Sequence, residues 1–225
     1  MPAFQRAIDL GYTYLETDVH ATTDGVVVAF HDTDLQRTCD RPGIISELAW
    51  SDVSTARVDG IEPIPLLVDL LEEWPNARFN IDCKSDAAAA PLADVLERMG
   101  ALDRVCVASF SDRRTARLRR RLGTRLCTGA GPLEIGALRV IRRVVGPAHA
   151  VQVPVRKGPV TLVTAGLVKA AHRSGVAVHV WTIDDAVEMD RLLDLGVDGI
   201  MTDRPALLRD VLTARGQWVE SDPGG

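Results

Sequence analysis

The chain has 225 residues, 46% of them apolar and only 4% aromatic, with a formal net charge of −5. That length supplies one sizeable core and argues against two full domains, and the core must rest on Val, Leu, Ile and Ala, a palette that suits parallel strands covered by helices. The mild acidity argues against a general nucleic-acid or anionic-membrane binder, and no apolar run approaches the ~20 residues that span a bilayer.

Four cysteines, Cys39, Cys83, Cys106 and Cys127, form no Cys-x-x-Cys pair, which argues against a zinc site. Nothing demands disulfides, so a reducing, cytoplasmic location is expected. The N-terminus carries no signal-peptide pattern.

Helix-like and strand-like segments alternate along the chain. Pro2–Leu10 reads as a helix, Tyr14–His20 as a strand, Thr23-Asp24-Gly25 as a hairpin turn and Val26–Phe30 as the returning strand. A polar loop, His31 to Gly43, follows. Further strands are expected at Ala77–Lys84, Val105–Ser109, Arg125–Thr128, Ala148–Val153, Val176–Thr182 and Gly199–Thr202. Helices are expected at Leu66–Glu73, Ala87–Met99, Asp112–Leu122, Leu133–Val145, Val160–Ser174, Asp185–Leu195 and Ala206–Ala214. Residues 1–215 read as one domain and 216–225 as a polar, frayed tail. Repeated strand-then-helix order means an α/β fold with a parallel sheet. Seven core strands are one short of a TIM (β/α)8 barrel, whose first strand would be missing; an open doubly wound sheet is the alternative.

Two strands carry the candidate chemistry. Alternate side chains of a strand share a face, so Glu16, Asp18 and His20 point one way, and Asn80, Asp82 and Lys84 do the same on the next core strand. Ionisable groups are costly against a helix layer, so these rows are expected to face a barrel interior. Paired carboxylates make a hard oxygen site for Ca²⁺ or Mg²⁺, and Lys84 is suited to an anionic oxygen. The competing reading is the polar face of an exposed strand. His31 enters a loop after a strand, placed for acid or base work or for a turn. Trp181 is a wall of the mouth or a core aromatic, and Asp203 reads as a helix N-cap. His149 and His172 read as packing or surface residues, and the arginines from Arg113 to Arg121 as a solvated helix face.

Taken together, Leu15-Glu16-Thr17-Asp18-Val19-His20, Thr23-Asp24-Gly25, Phe30-His31-Asp32, Leu35-Gln36-Arg37-Thr38, Asn80-Ile81-Asp82-Cys83-Lys84, Ser109-Phe110, Val180-Trp181-Thr182 and Gly196 through Pro205 resemble the glycerophosphodiester phosphodiesterase family. The resemblance implies a TIM barrel that hydrolyses glycerophosphodiesters to glycerol 3-phosphate and an alcohol. It implies Glu16, Asp18 and Asp82 as ligands of a divalent cation, with Asp82 where the family usually has Glu. It also implies Lys84 as a phosphate contact, His31 as proton donor to the leaving alkoxide, and Phe110 and Trp181 as pocket wall. The expected partner is a small glycerophosphodiester, without nucleic acid or stable membrane insertion. The family's opening strand, with His-Arg-Gly and a second catalytic histidine, has no counterpart in these residues. A late start, weak activity and marginal stability are therefore expected. Two rivals remain at this point: a non-catalytic metal- or phosphate-binding remnant, and a phospholipase D-like barrel acting on lipids.

Overall fold

The computed structural model describes residues 1–219. In chain order the main elements are α1 (Pro2–Asp9), β1 (Tyr14–Ala21), β2 (Val27–Ala29), α2 (Leu67–Glu73), β3 (Arg78–Cys83), α3 (Ala89–Arg98), β4 (Val105–Ala108), α4 (Asp112–Leu122), β5 (Cys127–Thr128), α5 (Pro132–Ile141), β6 (Ala150–Pro154), α6 (Ala165–Arg173), β7 (Ala177–Trp181), α7 (Ala186–Asp194), β8 (Gly199–Ile200) and α8 (Pro205–Ala214). Each of the seven expected core strands has its counterpart, and helices separate them in the (β/α) order of a barrel chain. Among the described residues no helix is long and apolar enough to cross a membrane. The residues group into two compact units, Tyr14–Cys127 with Met1, and Pro2–Thr13 with Thr128 onward.

In the first unit the sheet order is β2-β1-β3-β4-β5. β1 and β3 run parallel with Asp18 opposite Asp82, and β3 and β4 run parallel with Asp82 opposite Ala108. β2 returns antiparallel to β1 through a turn in which Gly25 takes φ 81°, a conformation that favours glycine. Burial alternates over the first part of β1, where Leu15, Thr17 and Val19 are buried, Glu16 is exposed and Asp18 half-buried; His20, expected in the polar row, is buried instead. Phe79 and Ile81 on β3, with Leu92 and Leu96 on α3, are buried apolar residues of the same unit. Between β2 and α2, where no element was anticipated, short turns and a two-strand ribbon bury Leu35, Ile45, Val53, Ala56 and Ile64 against Val28. That small core anchors both ends of the polar loop after β2.

In the second unit β7 lies between β6 and β8, parallel to both. Ala130 N–H donates to Ala150 O over 2.7 Å, so the chain after β5 runs beside β6. Val151, Val153, Val178 and Val180 join Leu167 of α6, Leu192 of α7 and Leu208 of α8 in one core. Three boundaries differ from the sequence reading. α6 begins at Ala165 rather than Val160, because Thr164 caps it by accepting from Leu167 N–H, and Val160–Thr161 instead pairs with Arg156–Lys157. α5 stops at Ile141, where Arg142 turns left-handed and lets the chain bury Val144. The tail is held as far as Trp218, whose ring meets Tyr12 edge-on with 4.9 Å between centroids while its N–H donates to Leu212 O. Residues 220–225 of the expected tail lie outside the described residues.

Candidate active site

The register of β1 and β3 sets two carboxylates side by side at the strand ends. The Lys84 ammonium lies 2.7 Å from Asp18 Oδ1 and 3.1 Å from Asp82 Oδ2, with its side chain only one-fifth exposed. Asp82 is buried, and its Oδ1 has no hydrogen-bond partner among the described residues. Burial pushes the Asp82 carboxyl above its ordinary range, against the pull of Lys84. Burial alone would lower the Lys84 ammonium, but the hydrogen bond to Asp18 and the charge of Asp82 outweigh it and raise the pKa. The same ammonium lies 5.6 Å from the centroid of the exposed Phe110 ring. Glu16 stands one pleat earlier on β1, opposite Asn80. Among the described residues no three Asp, Glu, His or Cys side chains are drawn together as a metal cage. Between Asp18 and Asp82 it is Lys84 that supplies positive charge.

His31 follows β2, where Phe30 N–H donates to Asp18 O and His20 is hydrogen-bonded to His31 O over 3.3 Å. Burial lowers the His20 pKa, and Nε2 donates to that carbonyl, which can only accept. The His31 side chain is 67% exposed, and its Nδ1 lies 2.7 Å from Asp32 Oδ1. Arg37 grips the same carboxylate, Nε at 2.5 Å from Oδ2 and Nη2 at 2.9 Å from Oδ1. Hydrogen bonds from Arg37 and His31 hold the Asp32 carboxyl down to about 2. An ionised carboxylate can only accept, so His31 Nδ1 carries the hydrogen and Nε2 is left for other work. A cavity of about 320 Å³ is lined by Glu16, Asp18, Phe30, His31, Asp32 and Arg37, among others.

The structure therefore brings Glu16, Asp18 and His31 to one cavity, with Asp82, Lys84 and Phe110 linked to it through Asp18. Trp181 ends β7 in the second unit, half-buried. Asp203 is not a cap: Arg204 occupies that position, and Asp184 accepts from Thr202 Oγ1 and Asp203 N–H. His172, read as a packing or surface residue, is exposed and lies 2.8 Å from Asp198 Oδ2, a pairing invisible to local spacing. Asp32 and Arg37 went unassigned, although an acid followed five residues later by Arg in a polar loop is a usable signal. Arg114 was grouped with a solvated helix face, but its guanidinium is half-buried and donates to Cys83 O at 2.6 Å, Ser109 Oγ at 2.8 Å and Asp86 Oδ1 at 3.0 Å. It thereby fixes the end of β3 immediately before Lys84. Arg114→Ala is expected to lower unfolding free energy by about 2–3 kcal/mol in a denaturant melt, because it leaves polar atoms unpaired.

Solved structures with this fold include a glycerophosphodiester phosphodiesterase from Parabacteroides distasonis ATCC 8503, with TM-score 0.77 and 24% identity, covering 95% of this chain and 89% of that one. Another is a phosphodiesterase from Oleispira antarctica in complex with the product sn-glycerol-3-phosphate, with TM-score 0.78 and 18% identity over 94% of this chain and 90% of that one. The fold is that of the TIM-barrel phosphodiesterases. The model of the glycerophosphoryl diester phosphodiesterase family matches residues 1–207. A Mycobacterium tuberculosis H37Rv protein named probable glycerophosphodiester phosphodiesterase 2 is 43% identical over 227 residues, 97% of this chain and 86% of that protein. The chain belongs to the glycerophosphoryl diester phosphodiesterase family.

Proposed function

We propose that this chain hydrolyses glycerophosphodiesters to glycerol 3-phosphate and an alcohol, and that residues 1–215 form one phosphodiesterase domain in the cytoplasm. The observation that carries the reading is the cavity holding His31 beside Glu16 and Asp18, in a chain that the family model matches over residues 1–207. As the imidazolium, His31 keeps Nδ1–H on Asp32 and gives its Nε2 proton to the leaving alkoxide oxygen as water oxygen bonds to phosphorus and the P–O bond to the alcohol breaks. Lys84 offers fixed positive charge to a phosphoryl oxygen. Phe110, beside the Lys84 ammonium, walls the substrate pocket. The family generally uses divalent cations, and Glu16, Asp18 and Asp82 are the residues that would hold Ca²⁺ or Mg²⁺ here. Their hard oxygens suit either ion, and the unpartnered, buried Asp82 Oδ1 supports the fit. A bound cation supplies charge withdrawal from the phosphoryl oxygens.

The test is release of glycerol 3-phosphate from glycerophosphocholine by the purified chain, with Ca²⁺ or Mg²⁺ and again with chelator. Metal-dependent release is expected. Metal binding without any release would instead identify a non-catalytic remnant.

Within this reading Asp32 positions His31. Asp32→Asn is expected to lower kcat by about 10–100-fold with KM little changed, a smaller loss than for a buried triad because His31 is mostly exposed. Nitrogen NMR should find the Nδ1–H tautomer of His31 in the parent chain and its loss in the variant. The pH dependence of folding provides a further check. The folded pKa of Asp32, about 2, lies below the ordinary aspartate value of 3.8. Its contribution is therefore present above about pH 4 and lost as pH falls toward 2. The stability gap between the chain and Asp32→Asn should narrow across that window.

A further inference from the structure

Helix α5 turns the wrong chemistry outward. Leu133, Val140 and Ile141 are 75%, 81% and 58% exposed, and Val145 just beyond the helix is 53% exposed. Positions 133, 140 and 141 are spaced i, i+7, i+8, so they lie within one side of the helix as an aliphatic stripe, while Leu138 is buried. Beside that stripe a cavity of about 590 Å³ is lined by Ile141, Arg142, Arg143, Val144, Arg173 and Ser174. The left-handed turn at Arg142 aims the chain so that Val144 is buried while Arg142 and Arg143 stay exposed. Ser174 Oγ holds this geometry by accepting from Val144 N–H. The Arg142 guanidinium lies over Gly166, where a Cβ would approach it to 2.8 Å. A chain with net charge −5 thus concentrates three arginines and four exposed aliphatic side chains in one place, all within the second unit.

We propose that this face is a peripheral membrane-docking site for anionic phospholipid, with a lipid phosphate taken by Arg142, Arg143 and Arg173 and the aliphatic stripe entering the headgroup–acyl boundary. Exposed apolar side chains next to arginines suit an interfacial helix, which gains from apolar burial and from attraction to anionic headgroups together. A second copy of the chain fits less well. It would bury the aliphatic stripe but would leave the three arginines without an anionic partner of their own. The overall acidity does not oppose docking, because charges more than about 10 Å away are screened at ordinary ionic strength. The contact is weak, reversible and salt-sensitive, since one short helix face carries it.

The experiment is co-sedimentation of the purified chain with vesicles of phosphatidylcholine alone, or of phosphatidylcholine containing phosphatidylglycerol, at low and high salt. Binding to the phosphatidylglycerol vesicles alone, lost at high salt, is expected. Arg142→Glu/Arg143→Glu should weaken it at least about tenfold, from roughly 1 kcal/mol per basic residue at an anionic surface. Val140→Glu/Ile141→Glu should weaken it comparably. All four positions are exposed, so thermal melts should match the parent and show that the variants fold. No binding to either vesicle overturns the proposal, as does binding that neither variant changes. A parent dimer by light scattering that Val140→Glu/Ile141→Glu converts to monomer, without vesicle binding, assigns the face to a second copy and overturns it too.

Discussion

Replacing His31 with alanine should lower kcat for glycerophosphocholine by about 10²–10⁴-fold, the range for removal of a general acid. The loss should fall to a few-fold for bis(4-nitrophenyl) phosphate, because nitrophenolate leaves without needing a proton. The comparison between substrates matters more than the loss itself. A His31 that merely shaped the cavity would be missed equally by both. The side chain is 67% exposed, so the variant should melt within about 0.5 kcal/mol of the parent. Equal losses on the two diesters would remove His31 from the acid role while leaving the family membership intact.

Lys84→Met should do more damage to the fold than any other single change at the site. It strips the ammonium from between Asp18 and Asp82 and leaves Asp82, 7% exposed, without its ion partner. Breaking a buried pair from one side costs about 3–5 kcal/mol, and the lower end applies here because Lys84 keeps some water contact. A urea melt reads this directly. Adding Asp82→Asn to Lys84→Met should return part of the stability, since the stranded charge is gone, while phosphodiester turnover stays lost. A double variant no more stable than Lys84→Met would show that packing of the lysine stem, rather than its charge, holds this corner.

Much of the site was legible in the sequence because the signal is geometric. A strand puts alternate residues on one face, so Glu-x-Asp and Asp-x-Lys each declare a polar row, and parallel pairing of β1 with β3 places Asp18 beside Asp82. The strand count was legible for the same reason, since short aliphatic runs alternate with capped helices. What stayed hidden depends on partners distant in sequence. Nothing near Arg114 says that it reaches Cys83 and Ser109, and nothing near His172 says that Asp198 meets it. The small core around Leu35 and Ile45 escaped because its elements are too short to show a period. The end of α5 was misplaced because Val144 continues the aliphatic run while its backbone has already turned at Arg142.

The pairing of Asp18 with Asp82 also bears on how the chain finds its fold. A slip of one residue between β1 and β3 would turn a carboxylate row toward the helices and an aliphatic row toward the polar side. Mispaired states would thus bury ionised groups where Leu15, Val19, Phe79 and Ile81 now sit, at a cost far above that of a misplaced alanine. The residues assigned here to chemistry therefore act earlier in the protein's life as well, as a check on strand alignment before any substrate is met.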